Sequence, residues 1–190
     1  HYKYLNEDNI FECYDSTFHD KWISNLELVI IFDVGDYIRI RTLANPIEKF
    51  NIPTMNIDHH PHPDKNVFKF NIVDLTAAAT GCMVYDYLKL VRKKPILKNS
   101  LLGIYTATMT DTGCFKYSNT DEKCHQIAIE ALNVGIETHK IYQYIYENST
   151  KSRIRLMGEF LSGLEYELDG ILAWFSITQE MMKLGGYELA

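Results

Sequence analysis

Three separate segments of this 190-residue chain place acids and histidines where they could act together. Asp58-His59-His60 closes an apolar run, an isolated Asp33 closes an earlier run, and Thr110-Asp111-Thr112-Gly113 stands further downstream. Carboxylates and imidazoles are hard to borderline ligands, which suit Mn²⁺, Mg²⁺ or Zn²⁺ better than an ion that prefers thiolates. We therefore predict a metal site that the fold assembles from these segments.

Two buried strands and a helix are expected to position the three segments. Residues 27–33 hold a continuous apolar run that ends on Asp33, which is typical of a buried parallel strand. Residues 51–58 repeat this design over a shorter length and end on Asp58. Ligands of open α/β sheets bind outside the carboxyl ends of the strands, so both acids are candidates for such a site.

The two adjacent histidines constrain how one ion could be bound. Neighbouring residues of an extended chain point in opposite directions, so His59 and His60 could both bind one ion only if the backbone turns. The simplest division gives one histidine to the metal and the other to the substrate. Asp58 would then hold a ring N–H and set the tautomer of the imidazole.

Simpler interpretations of the same residues stay open. Asp33 could be only a helix N-cap, a role that Asp36 could equally fill. Arg39 could pair with either of these acids. Asp111, which stands ahead of Gly113, could be an ordinary turn residue. Only the three segments taken together indicate a metal site.

The remaining pattern predicts an α/β fold with a mostly parallel sheet flanked by helices. A change from helices to a hairpin places a domain boundary near 150–165, followed by the start of a second α/β domain. Asp169-Gly170 between two apolar runs is typical of a hairpin turn. The expected strands cover 68–73, 164–168 and 171–177; the expected helices run from Thr76 to about Val91, over 96–109, from a Thr120 cap to Asn133, over 138–147 and 151–163, and onward from Thr178.

Composition limits the classes of function. A hydrophobic content of 46% with 23% charged residues is normal for a globular protein. The net charge of −6 argues against a large duplex-binding surface, but bound cations could still attract a small phosphorylated substrate. The four cysteines form no C-x-x-C pair, so we expect reduced thiols and a cytoplasmic protein. No apolar window approaches the length of about 18 residues that a membrane span needs.

The three segments resemble motifs of the DHH phosphoesterase superfamily. Phe32–Arg39 is similar to its second motif, Asn56–Pro61 to its third and Met109–Thr120 to its fourth. The sequence of the last segment, together with Ala77–Thr80, is most similar to the nanoRNase/pAp phosphatase branch. Residues 152–190 resemble the linker helix and the opening of the DHH-associated C-terminal domain. The resemblance therefore covers nearly the whole chain.

The resemblance implies a role for each site residue. Two Mn²⁺ ions would lie at the carboxyl ends of the strands, with Mg²⁺ or Co²⁺ as alternatives. Asp33 would bridge the ions, and His59 and Asp111 would complete one of the two sites. His60 would contact the scissile phosphate or support the bridging water. Asp58 would assist catalysis by holding a histidine ring N–H. The substrate-binding residues stay unknown.

The resemblance also implies a division of the chain. Residues 1–148 would form the DHH domain, 149–163 the linker helix, and 164–190 the beginning of the substrate-binding domain. The first family motif, of the type His-x-x-Pro-Asp-x-Asp, would lie before residue 1, and a Gly-Gly-Gly-His element would lie beyond residue 190. We therefore expect a fragment of a longer enzyme, inactive by itself.

The implied function is metal-dependent hydrolysis of short oligoribonucleotides, of 3′-phosphoadenosine 5′-phosphate (pAp), or of both, through a water activated by two metal ions. A cyclic-di-AMP or pApA phosphodiesterase of the same superfamily is an alternative. An inactive nucleotide-binding module is an alternative of another class. The expected partners are short RNA or a small nucleotide, without a membrane, and the resemblance favours a homodimer.

Overall fold

A computed structural model describes residues 2–61, 67–92 and 94–184, with only the backbone for residue 184, and it confirms the predicted α/β fold. Strands β1 (Val29–Phe32), β2 (Thr54–Asp58) and β3 (Phe70–Val73) form a parallel sheet in that order. The described helices are α1 (Ser16–Ile23), α2 (Ala44–Lys49), α3 (Thr80–Val91), α4 (Lys98–Asp111), α5 (Glu122–Asn133), α6 (Thr138–Tyr142), α7 (Lys151–Ser162) and α8 (Gln179–Leu184).

The register of the sheet brings two of the predicted segments to one edge. Phe32 pairs with Ile57 across β1 and β2, and the backbone N–H of Asp33 donates to the Ile57 carbonyl at 3.1 Å. Asp58 is the last residue of β2 and pairs with Val73 of β3. Because parallel strands end on the same side, Asp33 and the residues that follow Asp58 meet at the carboxyl edge.

Helices α3, α4 and α5 pack together and carry the third segment to the site. A Cβ added at Gly81 would lie 2.8 Å from the Ala107 Cβ, so the close approach of α3 to α4 requires glycine. These helices contribute most of the fully buried apolar side chains, namely Cys82, Leu101, Met109, Cys124 and Ile127. Asp111, the last residue of α4, is therefore held by a packed helix.

The predicted start of α3 was wrong by four residues. The helix begins at Thr80, because the Asp74 carboxylate accepts hydrogen bonds from the N–H and hydroxyl of Thr76 and forms a local turn instead. The residue before the helix, Ala79, is extended, with φ −158°. This leaves the carbonyl groups of Ala77 and Ala78 outside the helix, where they can accept hydrogen bonds from other segments.

The predicted cap of α5 was wrong by one residue. Asp121, not Thr120, accepts the hydrogen bond from the Cys124 N–H at 2.9 Å, and the helix begins at Glu122.

Residues 2–138 and the residues from 139 onward form two compact units. In the second unit, helix α6 passes into a π-helical segment over Gln143–Glu147, and the Thr150 hydroxyl caps α7. Strands β4 (Glu165–Glu167) and β5 (Leu172–Trp174) form the predicted hairpin, although the connection is longer than the expected two residues.

The predicted boundaries at 148/149 and 163/164 remain predictions, and residues 185–190 lie outside the described part. Among the described helices, none combines the length and the apolar character needed to cross a membrane.

Candidate metal centre

The carboxyl edge of the sheet brings Asp33, His59 and His60 together. The Asp33 Oδ1 atom lies 3.5 Å from both the Nε2 atom of His59 and the Nδ1 atom of His60. Each of the three side chains offers a ligand atom within 4.8 Å of the other two. Asp33 adopts a left-handed backbone with φ 57°, which aspartate tolerates better than most residues. The three side chains are thus close together, but the Nδ1 atom of His60 also donates to Asp58, so only the other ring nitrogen of His60 could bind an ion.

A backbone turn places both histidines on the same side. The Asp58 Oδ1 atom accepts hydrogen bonds from the His60 N–H at 2.9 Å and from its ring Nδ1 atom at 2.8 Å. The chain therefore leaves the extended conformation directly after β2, and the two rings stack edge to face with centroids 4.2 Å apart. The condition under which both histidines could contact one ion is met, because the strand alternation ends at Asp58.

The Nε2 atom of His59 points its lone pair into the centre of the site and accepts no hydrogen bond from a described residue. Its Nδ1 atom lies 3.1 Å from the Ala77 carbonyl oxygen, which accepts a hydrogen bond only if that nitrogen carries the proton. The Nε2 atom then faces Asp33 at 3.5 Å and Asp111 at 3.6 Å. This nitrogen is buried and forms no hydrogen bond with any described residue. Histidines that bind metal ions commonly have this arrangement, in which one ring nitrogen donates to a carbonyl and the other binds the ion.

Asp58 is a supporting carboxylate. It is fully buried, and its Oδ2 atom accepts a hydrogen bond from the Gly35 N–H at 2.7 Å, in addition to the two bonds from His60. Burial by itself would raise the pKa of Asp58, but the hydrogen bonds from Gly35 and His60 lower it to about 2. The carboxylate therefore stays charged and holds both the Gly35 turn and the His60 ring.

Asp111 is a carboxylate with unsatisfied charge. Among the described residues, the one hydrogen bond to its carboxylate comes from the Thr110 hydroxyl at 3.4 Å. Burial raises the pKa of Asp111, and the negative charge of Asp33 raises it further. Because Asp111 ends α4, the helix dipole also adds negative potential there. A cation at this point would relieve all three unfavourable contributions.

The extended segment before α3 ties the ligand candidates together. The Asn119 amide donates to the Ala78 and Asp111 carbonyl oxygens, each at 3.1 Å. The Thr80 hydroxyl donates to the Asp33 Oδ1 atom at 2.9 Å. Together with the His59–Ala77 contact, these bonds connect all three ligand-bearing segments to residues 77–80. The sequence interpretation did not identify Thr80 or Asn119; the similarity of residues 77–80 to a family segment was the available sign.

Each predicted site residue has a place in this arrangement. Asp33, His59, His60 and Asp58 meet at the sheet edge, and Asp111 reaches the group through His59. The predicted ligand set and the observed cluster of three differ in one member, since the first includes Asp111 and the second His60. Two carboxylates and neutral imidazole nitrogens suit Mn²⁺, Mg²⁺ or Zn²⁺. The residues present therefore fit a divalent metal ion.

The structure also decides between the simpler roles that the sequence left open for Asp33, Asp36 and Arg39. Asp36, not Asp33, is the cap: its carboxylate accepts from the Ile38 N–H at 3.1 Å and starts a 3₁₀ segment over Tyr37–Leu43. Arg39 forms no ion pair with Asp33 or Asp36 in the described part of the chain.

Comparisons with known proteins support a phosphoesterase relationship. No protein-family profile matches the chain. It is 30% identical over 140 residues to the bifunctional oligoribonuclease and PAP phosphatase NrnA of Thermus thermophilus, covering 74% of this chain and 41% of the relative. It is 25% identical over 160 residues to the protein of the same name from Bacillus subtilis, covering 83% of this chain and 50% of the relative.

A solved structure has a similar fold over nearly the whole chain. The crystal structure of an exopolyphosphatase-related protein from Bacteroides fragilis has a TM-score of 0.85 and 27% sequence identity, over 98% of this chain and 56% of that protein. The chain thus spans about half the length of the curated relatives that it matches.

Proposed function

Because the chain belongs to the DHH phosphoesterase superfamily, we propose that it supplies metal ligands to an enzyme that hydrolyses phosphoester bonds in very short nucleotides. The proposed substrates are short oligoribonucleotides, pAp, or both, as the names of the curated relatives suggest. The negative net charge of the chain fits small substrates better than long strands.

One observation carries the metal dependence. The His59 Nε2 atom is buried, lacks a hydrogen bond among the described residues and faces carboxylates of two different segments. In the proposal Asp33, His59 and Asp111 bind an ion, and Asp33 also faces a second one. Mn²⁺ is the proposed cofactor, with two ions in the complete enzyme and Mg²⁺ or Co²⁺ as alternatives. Such ions lower the pKa of a water molecule and stabilise charge on the attacking and leaving oxygens.

In the proposal, His60 and Asp58 orient the substrate phosphate. The His60 ring is 46% exposed at the site, while its Nδ1 atom is held by Asp58 at 2.8 Å. The ring therefore presents its other nitrogen outward in a fixed orientation, from which it can contact a phosphate oxygen. Asp58 keeps this orientation by remaining ionised and buried. Orienting a substrate phosphate in this way favours one geometry of attack.

The proposal applies to the natural full-length gene product. The first family motif expected before residue 1 and the Gly-Gly-Gly-His element expected beyond residue 190 remain predictions. The gene sequence on both sides tests them directly. Three ligand-type residues shortly upstream would support an enzyme, whereas their absence would favour a nucleotide-binding module.

The decisive test is hydrolysis of a labelled RNA dinucleotide, pAp and pApA with added Mn²⁺. Both the full-length product and the present chain are assayed, each with Asp111→Ala and with Asp86→Ala as a control. Asp86 is an exposed carboxylate that pairs with Lys123 instead of a site residue. We expect the full-length protein to cleave, Asp111→Ala to lose activity by on the order of 1000-fold, and Asp86→Ala to retain it.

The other outcomes separate the alternatives. Preference for pApA over both other substrates would identify a cyclic-dinucleotide pathway enzyme. A folded full-length protein that binds nucleotide and cleaves none of the three would replace the enzyme proposal with the binding module.

A further inference from the structure

We propose that Arg39 binds a phosphate group of the substrate beside the metal centre. This inference rests on the proposed function for the identity of the ligand, but its geometry is independent of it. The segment that resembles the second family motif ends at Arg39, and the sequence pattern gave this residue no role beyond pairing with a neighbouring acid.

The backbone of Arg39 is held close to the site by local contacts. Gly35, with φ 69°, turns the chain after β1, and its N–H is bound by the buried Asp58 carboxylate. Asp36 then caps the 3₁₀ segment, and the Arg39 N–H donates to the Asp36 carbonyl at 3.0 Å. The carboxylate that orients His60 therefore also anchors the turn that leads to Arg39.

The guanidinium group lies over Gly35 next to His60. A Cβ placed on Gly35 would be 3.4 Å from the Arg39 Nη1 atom and 3.7 Å from the His60 Cβ atom. The two side chains thus lie against the same glycine, and the His60 ring Nδ1 atom lies 3.5 Å from the Asp33 Oδ1 atom. The absence of a side chain at residue 35 leaves room for both.

The charge of Arg39 is not used within the described structure. Elsewhere in the described chain, Lys89 pairs with Glu130 and Lys123 pairs with Asp86. Arg39 is exposed and forms no ion pair with a described carboxylate, although Asp33 and Asp36 are close in the chain. An arginine that stays unpaired next to acids is available for an anion from solution.

Phosphate is the anion that this position suits best. A guanidinium group presents paired N–H donors whose spacing matches two oxygens of a phosphate, and its charge persists at any physiological pH. The centre itself contains Asp33, Asp58 and Asp111, which would repel an anionic substrate. Arg39 would offset this repulsion and fix the phosphate near His60.

The test combines binding and kinetics in the full-length protein. Arg39→Gln removes the charge, Arg39→Lys keeps the charge without the paired donors, and Arg41→Gln is a matched control two residues along the same segment. Mn²⁺ binding is followed by the loss of the free-ion electron paramagnetic resonance signal. Binding of inorganic phosphate and AMP, with Mg²⁺ present, is followed by calorimetry, and KM and kcat are measured with pAp.

We expect Arg39→Gln to weaken phosphate binding and raise KM by about 10-fold or more, and Arg39→Lys by a smaller factor. Mn²⁺ binding should not change, and Arg41→Gln should resemble the unmodified protein. If Arg39→Gln matched Arg41→Gln in phosphate binding and KM, or if it abolished Mn²⁺ binding, the inference would be overturned.

The outcome is distinguishable from failure of the proposed function. If the unmodified protein cleaves no substrate but loses phosphate binding on Arg39→Gln, the enzyme proposal fails and the phosphate site stands. If it cleaves pAp and Arg39→Gln has no effect, the enzyme proposal stands and the phosphate site is rejected.

Discussion

The buried carboxylate at the end of β2 and the half-buried carboxylate at the end of α4 differ in how many hydrogen bonds stabilise their charge. At the end of β2, Asp58 accepts hydrogen bonds from Gly35 and His60, which lower its pKa to about 2. At the end of α4, Asp111 has one long hydrogen bond from Thr110, and burial and the charge of Asp33 raise its pKa. Asp58 accepts a hydrogen bond from the His60 ring, whereas Asp111 lies 3.6 Å from the Nε2 atom of His59.

This difference separates support from ligation. A carboxylate whose oxygens already accept several hydrogen bonds stabilises the fold and gains little from a cation. A carboxylate that is buried beside another negative charge destabilises the fold until a cation neutralises it. We therefore propose that Asp58 supports the site and that Asp111 binds metal, and mutation can test each role.

The largest effect is expected from Asp111→Asn. This change removes the charge but keeps the shape, so Mn²⁺ affinity should fall by on the order of 100-fold or more, since even supporting residues of metal sites cost 10- to 100-fold. The free energy of unfolding without metal should not fall, because the repulsion from Asp33 disappears. Electron paramagnetic resonance and urea unfolding measure the two quantities. A variant that lost stability and kept its metal affinity would place Asp111 in the scaffold instead.

Asp58→Asn should show the reverse pattern. An amide has one oxygen and one NH₂ group, so in either orientation the NH₂ group meets an N–H donor, from Gly35 or from His60. A buried donor without an acceptor costs about 2–3 kcal/mol of unfolding free energy. Urea unfolding against the exposed control Asp86→Asn measures this cost. Equal stabilities of the two variants would contradict the supporting role.

A third change tests whether the scaffold extends to Thr80. Thr80→Val keeps the shape of the side chain and removes the hydroxyl that donates to Asp33 at 2.9 Å. Mn²⁺ affinity should fall by about 10-fold, as for other residues that orient metal ligands. Thr80→Ser keeps the hydroxyl and should restore most of the affinity. If serine and valine behaved alike, packing and not the hydrogen bond would be responsible.

The smallest effect is expected at Glu130, a supporting carboxylate far from the site. Burial would raise its pKa, but hydrogen bonds from Lys89 and Tyr85 lower it overall. A lowered pKa means that the stabilisation is present above the pKa of the unfolded chain and is lost as the pH falls. Glu130→Gln should therefore cost less than about 1 kcal/mol at pH 7 and a smaller amount near pH 3. Thermal unfolding at the two pH values checks this, and a cost that persisted undiminished in acid would contradict it.

The sequence predicted the sheet edge better than the helix starts. Apolar runs that end on Asp33 and Asp58 located both strand ends. The expectation that the first run is a fully buried strand was wrong, because Ile30 and Phe32 of β1 are about half exposed in the described structure. The start of α3 was missed because Asp74 competes for the Thr76 N–H, a choice between two local hydrogen bonds that propensity does not resolve. The cap of α5 shifted from Thr120 to Asp121 for a similar reason, since both residue types favour caps.

Short-range patterns along the chain were enough to establish the α/β class, the ends of β1 and β2 and the acids and histidines that are candidates for ligation. How those residues are used depends on contacts between distant segments. The turn that aligns His59 with His60 depends on Asp58, whose second oxygen is bound by Gly35, 23 residues earlier. Thr80 reaches Asp33 across 47 residues. Such contacts form only when the strands and helices pack, so no local pattern of residues contains them.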